Sequence, residues 1–193
     1  MKKGENMSIF VASDLHGSYF YGKKMVHAIR QEEPERLLLL GDILYHGPRN
    51  PLTEGYDPMA LATLLNGLSL PILAVRGNCD SEVDQQVLHF PILADYSLLY
   101  GGKRTIFVTH GHIFNINDLP QLAQGDILLH GHTHVPSWQA FGQDQYYMNP
   151  GSVSLPKEGS DRGYLMIYDD RLEWKTLDGT CLLYTSPSPR DTR

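Results

Sequence analysis

Thiols are scarce in this chain. Its 193 residues carry two cysteines, Cys79 and Cys181, too few for a disulfide framework in a domain of this size. Basic runs are missing as well: no stretch of Lys and Arg exceeds two residues, and the net charge is −6. A binder of long nucleic acids is therefore not expected, because such binding rests on phosphate neutralisation. No apolar run approaches the roughly 20 residues that span a bilayer. The basic N-terminus, MKKGEN, lacks the apolar core of a signal peptide, so a cytoplasmic location is expected. No Gly-rich nucleotide cradle is present, and transfer from ATP is not suggested.

What is present fits one sizeable domain, with 41% of residues hydrophobic. The expected domain is 7–178, and residues 1–6 read as a disordered lead-in, with Met7 as an alternative initiator. The tail CLLYTSPSPRD, Cys181–Asp191, matches the translation of a sequencing adapter residue by residue. Residues 181–193 are accordingly read as non-biological, and the natural sequence beyond about Gly179 is expected to be missing.

A local grammar recurs along the chain. A short apolar run ends, a glycine or small residue appears, and a polar residue of metal-ligand type follows. SIFVAS leads to Asp14 and His16, RLLLLG to Asp42, PILAVRG to Asn78, RTIFVT to His110, and DILLHG to His132 and His134. Such runs read as buried strands. Helices are predicted at Tyr19–Gln31 and, with proline in its first turn, at Pro58–Leu68. Hairpins are predicted from Tyr96–Tyr100 with Arg104–Thr109, and from Gly163–Tyr168 with Arg171–Thr176. This is an α/β pattern that suits two mixed sheets face to face with helices outside. All the ligand-type turns lie at the carboxyl ends of strands, where α/β sheets place their sites.

In an extended segment, residues two apart point the same way. Asp14 and His16 then converge on one point, and His132 and His134 repeat the geometry. A lone D-x-H or H-x-H is common surface polarity, but seven such residues after strand ends form a set. Without a thiolate cluster a structural zinc site is disfavoured. Carboxylate, imidazole and amide oxygen suit Mn²⁺ first, with Fe²⁺, Zn²⁺, Ni²⁺ or Mg²⁺ also compatible. Seven candidates, Asp14, His16, Asp42, Asn78, His110, His132 and His134, exceed one ion and suit two. Asp42 is the natural bridge, as the single carboxylate between the other sets. Such a bridge holds two ions about 3.5–4 Å apart, and the water between them becomes a nucleophile near neutral pH.

SDLHG, GDILYHGPRN, RGNCD, THGH, HGHTH and NPGS, in that order, resemble the calcineurin-like metallophosphoesterases, in particular their bacterial phosphodiesterases. The resemblance runs from Met7 to about Asp178. It implies a four-layer α/β/β/α sandwich. It implies one metal held by Asp14, His16, Asp42 and His134 and a second held by Asp42, Asn78, His110 and His132. It also implies a phosphodiesterase that cleaves with a metal-activated water, acting on a small phosphodiester, with no membrane partner. A homo-oligomer is compatible with it. The alternatives are a monophosphatase or a non-catalytic scaffold on the same sandwich, although a scaffold has no need of a complete ligand set.

In many relatives a histidine follows the asparagine, and here Cys79 stands in its place. A thiol is a weaker hydrogen-bond donor and carries no positive charge. The expected consequence is a preference for good leaving groups; burial as a small hydrophobe is the simpler reading of Cys79. Arg49 is a candidate clamp on a phosphoryl oxygen, or a solvated loop residue. His46 is a candidate approaching the leaving group, or a loop-packing residue. Asp80 is read as orienting a neighbouring imidazole, His112 as a neighbour of the ligands or a substrate contact, His130 as a core histidine, and Asn149 and Ser152 as shapers of the metal-site loops.

Overall fold

The computed structural model describes residues 8–101 and 104–185. The lead-in 1–6 and the last eight residues of the tail lie outside that range. β1 (Ser8–Ala12), β2 (Arg36–Leu39) and β3 (Ile72–Ala74) run parallel, joined by α1 (Tyr19–Glu32) and α2 (Pro58–Asn66). β9 (Gly163–Tyr168) returns antiparallel to β1, and β10 (Leu172–Thr176) pairs antiparallel with β9 on its far side. The second sheet has the order β4 (Tyr96–Gly101), β5 (Arg104–Thr109), β6 (Ile127–Leu129), β8 (Gln145–Asn149), β7 (Ser137–Phe141). β5, β6 and β8 are parallel, and β4 and β7 run against them.

The first sheet is buried on both faces, which is why its strands read as unbroken apolar runs. Phe10, Ala12, Leu37 and Leu39 face α1 and α2, packing with Met25, Ile29, Leu61 and Leu65. Ile9, Val11, Leu38 and Leu40 face the second sheet, packing with Ile106, Val108, Ile127 and Leu129. Trp174 crosses the seam and donates its indole N–H to the Asn149 carbonyl at 2.7 Å. α1 starts at Ser18, whose hydroxyl accepts from the Tyr21 N–H. It stops at Glu33, which takes a left-handed φ of 47°. α2 starts at Asp57, with proline in its first turn.

The outer side of the second sheet departs from the helical layer of the first. Among the described residues the third helix, α3 (Glu82–Gln85), is only four residues long, and both longer helices pack on the first sheet. Between β5 and β6 the chain is irregular, and Phe114 sets its edge against Phe107. Asn115, Asn117, Asp118 and Pro120 explain this, since each favours turns over helix. Two further elements went unread in the sequence. One is the β7–β8 hairpin, whose turn uses left-handed Gly142 and Asp144. The other is β11 (Cys181–Thr185), which pairs antiparallel with β10 at the sheet edge. The side chains of Leu182, Leu183 and Tyr184 stay exposed there, so β11 extends the backbone ladder and adds little to the core.

Candidate metal centre

The seven predicted ligands meet where the two sheets end together. Asp14 and His16 follow β1, Asp42 follows β2 and Asn78 follows β3. His110 follows β5, and His132 and His134 follow β6. Five of these residues, Asp14, His16, Asp42, His132 and His134, sit at positive φ between 45° and 65°. L-residues visit that region at a cost of about 1–2 kcal/mol each. The turns are held there by one another: the His16 N–H donates to the Asp42 carbonyl at 2.9 Å and the Asp14 N–H to Gly41 at 3.2 Å. The Ser152 and Ser154 hydroxyls both donate to the Asp14 carbonyl.

Two outer groups of candidate ligand atoms result, with His16, Asp42 and Cys79 forming a third that links them. Asp14, His16 and His134 form one, with Asp14 Oδ1 3.3 Å from His134 Nε2 and 3.7 Å from His16 Nε2. Asp42, His110 and His132 form the other, and Asn78 Oδ1 lies 3.2 Å from His110 Nε2. Asp42 Oδ2 lies 3.6 Å from His16 Nε2 and 3.5 Å from His110 Nε2, between the two groups. The imidazoles are aimed by their second nitrogens: His16 Nδ1 meets the Tyr45 carbonyl, His110 Nδ1 the Leu40 carbonyl and His134 Nδ1 the Leu155 carbonyl. With Nδ1 as donor, the neutral form of each ring presents an Nε2 lone pair inward, the form a metal ion selects.

The electrostatics fit a cation. Burial pushes the Asp14 carboxyl up, but the adjacent imidazoles of His134, His110 and His16 outweigh that and hold it far below the usual carboxylate range. Asp14 Oδ1 is fully buried and has no hydrogen-bond partner. A buried anionic oxygen without a partner is costly unless a cation meets it. Burial lowers His110, yet Asp42 and Asp14 bring it up to about 9. Burial and the neighbouring His110 press His132 down to about 4. The donors are hard oxygens and borderline nitrogens, a set that suits first-row divalent ions.

Residues outside the predicted set build the frame. Asp80 is read from sequence as orienting an imidazole. Its carboxylate instead accepts the N–H groups of Asp42, Ile43 and Gly77, at 2.8, 2.8 and 2.7 Å, and pins the Asp42 turn. Gly77 has no room for a side chain: a Cβ there would lie 2.1 Å from Asp42 Oδ1. The G-N signal was visible in the sequence, but not the carboxylate pressed against it. The Asn149 amide nitrogen lies 2.8 Å from Gly131 O and 2.9 Å from both Thr133 Oγ1 and Tyr147 Oη, sharing its two N–H bonds among them, and so braces the His132–His134 loop.

Beside the ligands lies a cavity of about 970 Å³. Cys79, Arg49, Lys157, Asn78, His132 and His134 are among its lining residues. Arg49 and Lys157 are exposed cations on its wall; Lys157 carried no motif and was missed in the sequence. The Cys79 N–H donates to Asp42 Oδ1 at 2.8 Å. Burial, and then the Asp42 carboxylate, push its thiol up to about 12. Cys79 is half-buried and lines the cavity with its thiol protonated. His46 does not line this cavity. Its ring meets the edges of Tyr45 and Tyr56, an arrangement that matches loop packing.

Comparison with known proteins accords with this geometry. The chain is 46% identical over 166 residues to the phosphodiesterase YfcE of Escherichia coli K12, covering 86% of this chain and 90% of that protein. It superposes on a solved structure of the E. coli YfcE phosphoesterase with a TM-score of 0.90, at 42% identity, covering 94% of this chain and 100% of the other. The fold is shared with zinc-complexed Vps29 from Entamoeba histolytica, at a TM-score of 0.61 and 18% identity, covering 94% of this chain and all of that one. A family model described as the calcineurin-like phosphoesterase superfamily domain matches residues 7–170, and the chain belongs to that family.

Proposed function

We propose that this chain is a two-metal phosphodiesterase of one domain, residues 7–178, that hydrolyses small phosphodiesters in the cytoplasm. One observation carries the reading: Asp42 Oδ2 lies 3.6 Å from His16 and 3.5 Å from His110, an imidazole of each outer ligand group, beside a polar cavity. Asp14, His16, Asp42 and His134 would hold one ion, and Asp42, Asn78, His110 and His132 the other, with Mn²⁺ as the leading candidate. When bound, such ions lower the pKa of water and neutralise charge that builds on the phosphoryl oxygens.

The rest belongs to the chain. Asn78 offers a neutral amide oxygen, so it adds no negative charge opposite an anionic substrate. Arg49 and Lys157 stand on the cavity wall, where they attract the phosphodiester and orient its nonbridging oxygens. Cys79 offers a neutral S–H where a cationic donor would otherwise help the leaving oxygen. The 46% identity to a phosphodiesterase supports this chemistry. The complete ligand set weighs against a scaffold.

The test uses a protein ended before Cys181, supplied with Mn²⁺ and offered bis(4-nitrophenyl) phosphate beside 4-nitrophenyl phosphate. Turnover of the diester is expected, with Asp42→Asn reducing it at least a thousandfold. A faster monoester reaction, or an Asp42→Asn variant that keeps its rate, would overturn the reading.

A further inference from the structure

The loop from Tyr45 to Asp57 carries Arg49 and grips His16 from both sides. At its start the Tyr45 carbonyl meets His16 Nδ1 at 3.0 Å. Towards its end the Thr53 hydroxyl donates to the His16 carbonyl at 3.1 Å. That bond is shielded from solvent: His16 is fully buried and Thr53 is 5% exposed. His16 also takes a left-handed φ of 45°. A donor on its carbonyl therefore holds a turn that an L-residue leaves readily.

Further bonds weld the end of the loop to the same turn. The Asp57 N–H donates to the Gly17 carbonyl at 2.9 Å, and the Tyr19 N–H to the Gly55 carbonyl at 3.0 Å. The Tyr21 hydroxyl donates to Glu54 Oε2 at 2.9 Å. Loop and turn are packed so closely that a Cβ on Gly17 would run into the Leu44 carbonyl oxygen and the Tyr56 ring. Between these anchors, Gly47, Pro48, Arg49 and Asn50 line the cavity beside the ligands. Asn50 closes their turn: its N–H donates to the Gly47 carbonyl at 3.3 Å and its side-chain amide to the His46 carbonyl at 2.8 Å. Arg49 thus stands on a closed turn whose flanks both hold His16.

We propose that Thr53 is a positioning residue: it ties the loop that presents Arg49 to the main chain of His16, so that a phosphoryl anion held at Arg49 and an ion held at His16 stabilise each other. No motif marks Thr53, and its hydroxyl is spent on the His16 carbonyl. An anion that orders the Arg49 turn orders the loop that fixes His16, and linkage makes the effect reciprocal. This rests on the two-metal phosphodiesterase reading above and adds how that site couples its metal to its substrate.

The experiment compares Thr53→Val, which keeps the shape and loses the donor, with Thr53→Ser, which keeps the donor. Thr63→Val is the control, because the Thr63 hydroxyl makes a similar bond to the Met59 carbonyl, at 2.9 Å, on α2. Dissociation constants for Mn²⁺ are measured by chelator competition. Those for diphenylphosphinate, an anion shaped like a diester but without a leaving group, are measured by calorimetry at saturating Mn²⁺. Thr53→Val is expected to weaken both by about fivefold or more, the low end of coupling between sites. Thr53→Ser should keep both within about twofold of wild type, and Thr63→Val should change neither. In an Arg49→Ala background, Thr53→Val should still weaken Mn²⁺ but move phosphinate binding less than about twofold, because no guanidinium remains to be displaced. Thr53→Ala also lacks the donor and serves in the same comparison if the valine variant does not fold. Unchanged constants in the donor-less variants, a phosphinate loss as large without Arg49 as with it, or a wild type that binds Mn²⁺ but no phosphinate would each overturn the coupling. Turnover of bis(4-nitrophenyl) phosphate is read separately: a wild type that leaves it intact overturns the hydrolase reading, while the two dissociation constants still decide the role of Thr53.

Discussion

Asp42 is held from several directions. Asp80 fixes its backbone, the Cys79 N–H meets one carboxylate oxygen, and Gly77 leaves space for that oxygen. Gly77→Ala should therefore act on the proposed bridging ligand without altering that residue. A Cβ forced to 2.1 Å from Asp42 Oδ1 must displace it. Metal affinity is expected to fall at least tenfold by chelator competition, while far-ultraviolet circular dichroism stays unchanged. Cys79 gives a second prediction. A thiol pushed up to about 12 stays protonated at neutral pH and supplies no charge. Cys79→His should raise kcat at least tenfold on diesters with alkyl leaving groups and change little on nitrophenyl esters, where the leaving oxygen needs no help. No gain with both metals retained would remove Cys79 as the cause of the preference. All seven candidate ligands were legible because each follows an apolar run ending in a small residue. Asp80's grip on backbone N–H groups was not, since a carboxylate's partner is invisible until the chain folds back. Lys157 was not either, because a lone lysine after a Pro carries no pattern.

At the scale of elements, β1, β2, β3, β9 and β10 of the first sheet were readable from their apolar runs, and both longer helices from periodicity and caps. The β7–β8 hairpin was not, because Ser137–Phe141 alternates weakly and is half exposed. The sandwich was expected to carry helices outside both sheets; between β5 and β6 the turn-forming Asn115, Asn117, Asp118 and Pro120 leave the chain irregular. Ser18 joins two elements. Its hydroxyl accepts from the Tyr21 N–H at 3.2 Å and donates to the Glu54 carbonyl at 2.6 Å, so it caps α1 and anchors the loop before α2. Ser18→Ala should cost about 1–2 kcal/mol in urea denaturation. Because His16 lies two residues upstream, the variant should also bind metal more weakly, whereas an ordinary cap mutation would change stability alone.

Over the whole molecule, the ligand set is divided between the sheets: four residues come from the first and three from the second. Bound ions therefore join the sandwich at one rim. Each ion present at a hundred times its dissociation constant should add about 2.7 kcal/mol to the unfolding free energy. Melting temperature is expected to rise with Mn²⁺ and to fall back with chelator, and the gain should disappear in Asp42→Asn. An unchanged melting curve would mean that the ions do not bind the folded state. The sandwich itself was legible because strand–helix alternation and two hairpins leave few ways to bury the apolar runs. The tail's pairing as β11 was not, since backbone hydrogen bonds at a sheet edge ask little of the side chains that make them.

The left-handed turns at Asp14, His16, Asp42, His132 and His134 bear on how such a site is dissected by mutagenesis. Replacement by alanine there removes a donor atom and also leaves a side chain in a conformation it tolerates poorly, so two penalties are merged into one measured loss. Asparagine and glycine accept that geometry far better. Pairing each alanine with a glycine at the same codon separates the deficit due to missing coordination from the deficit due to a misfitting main chain.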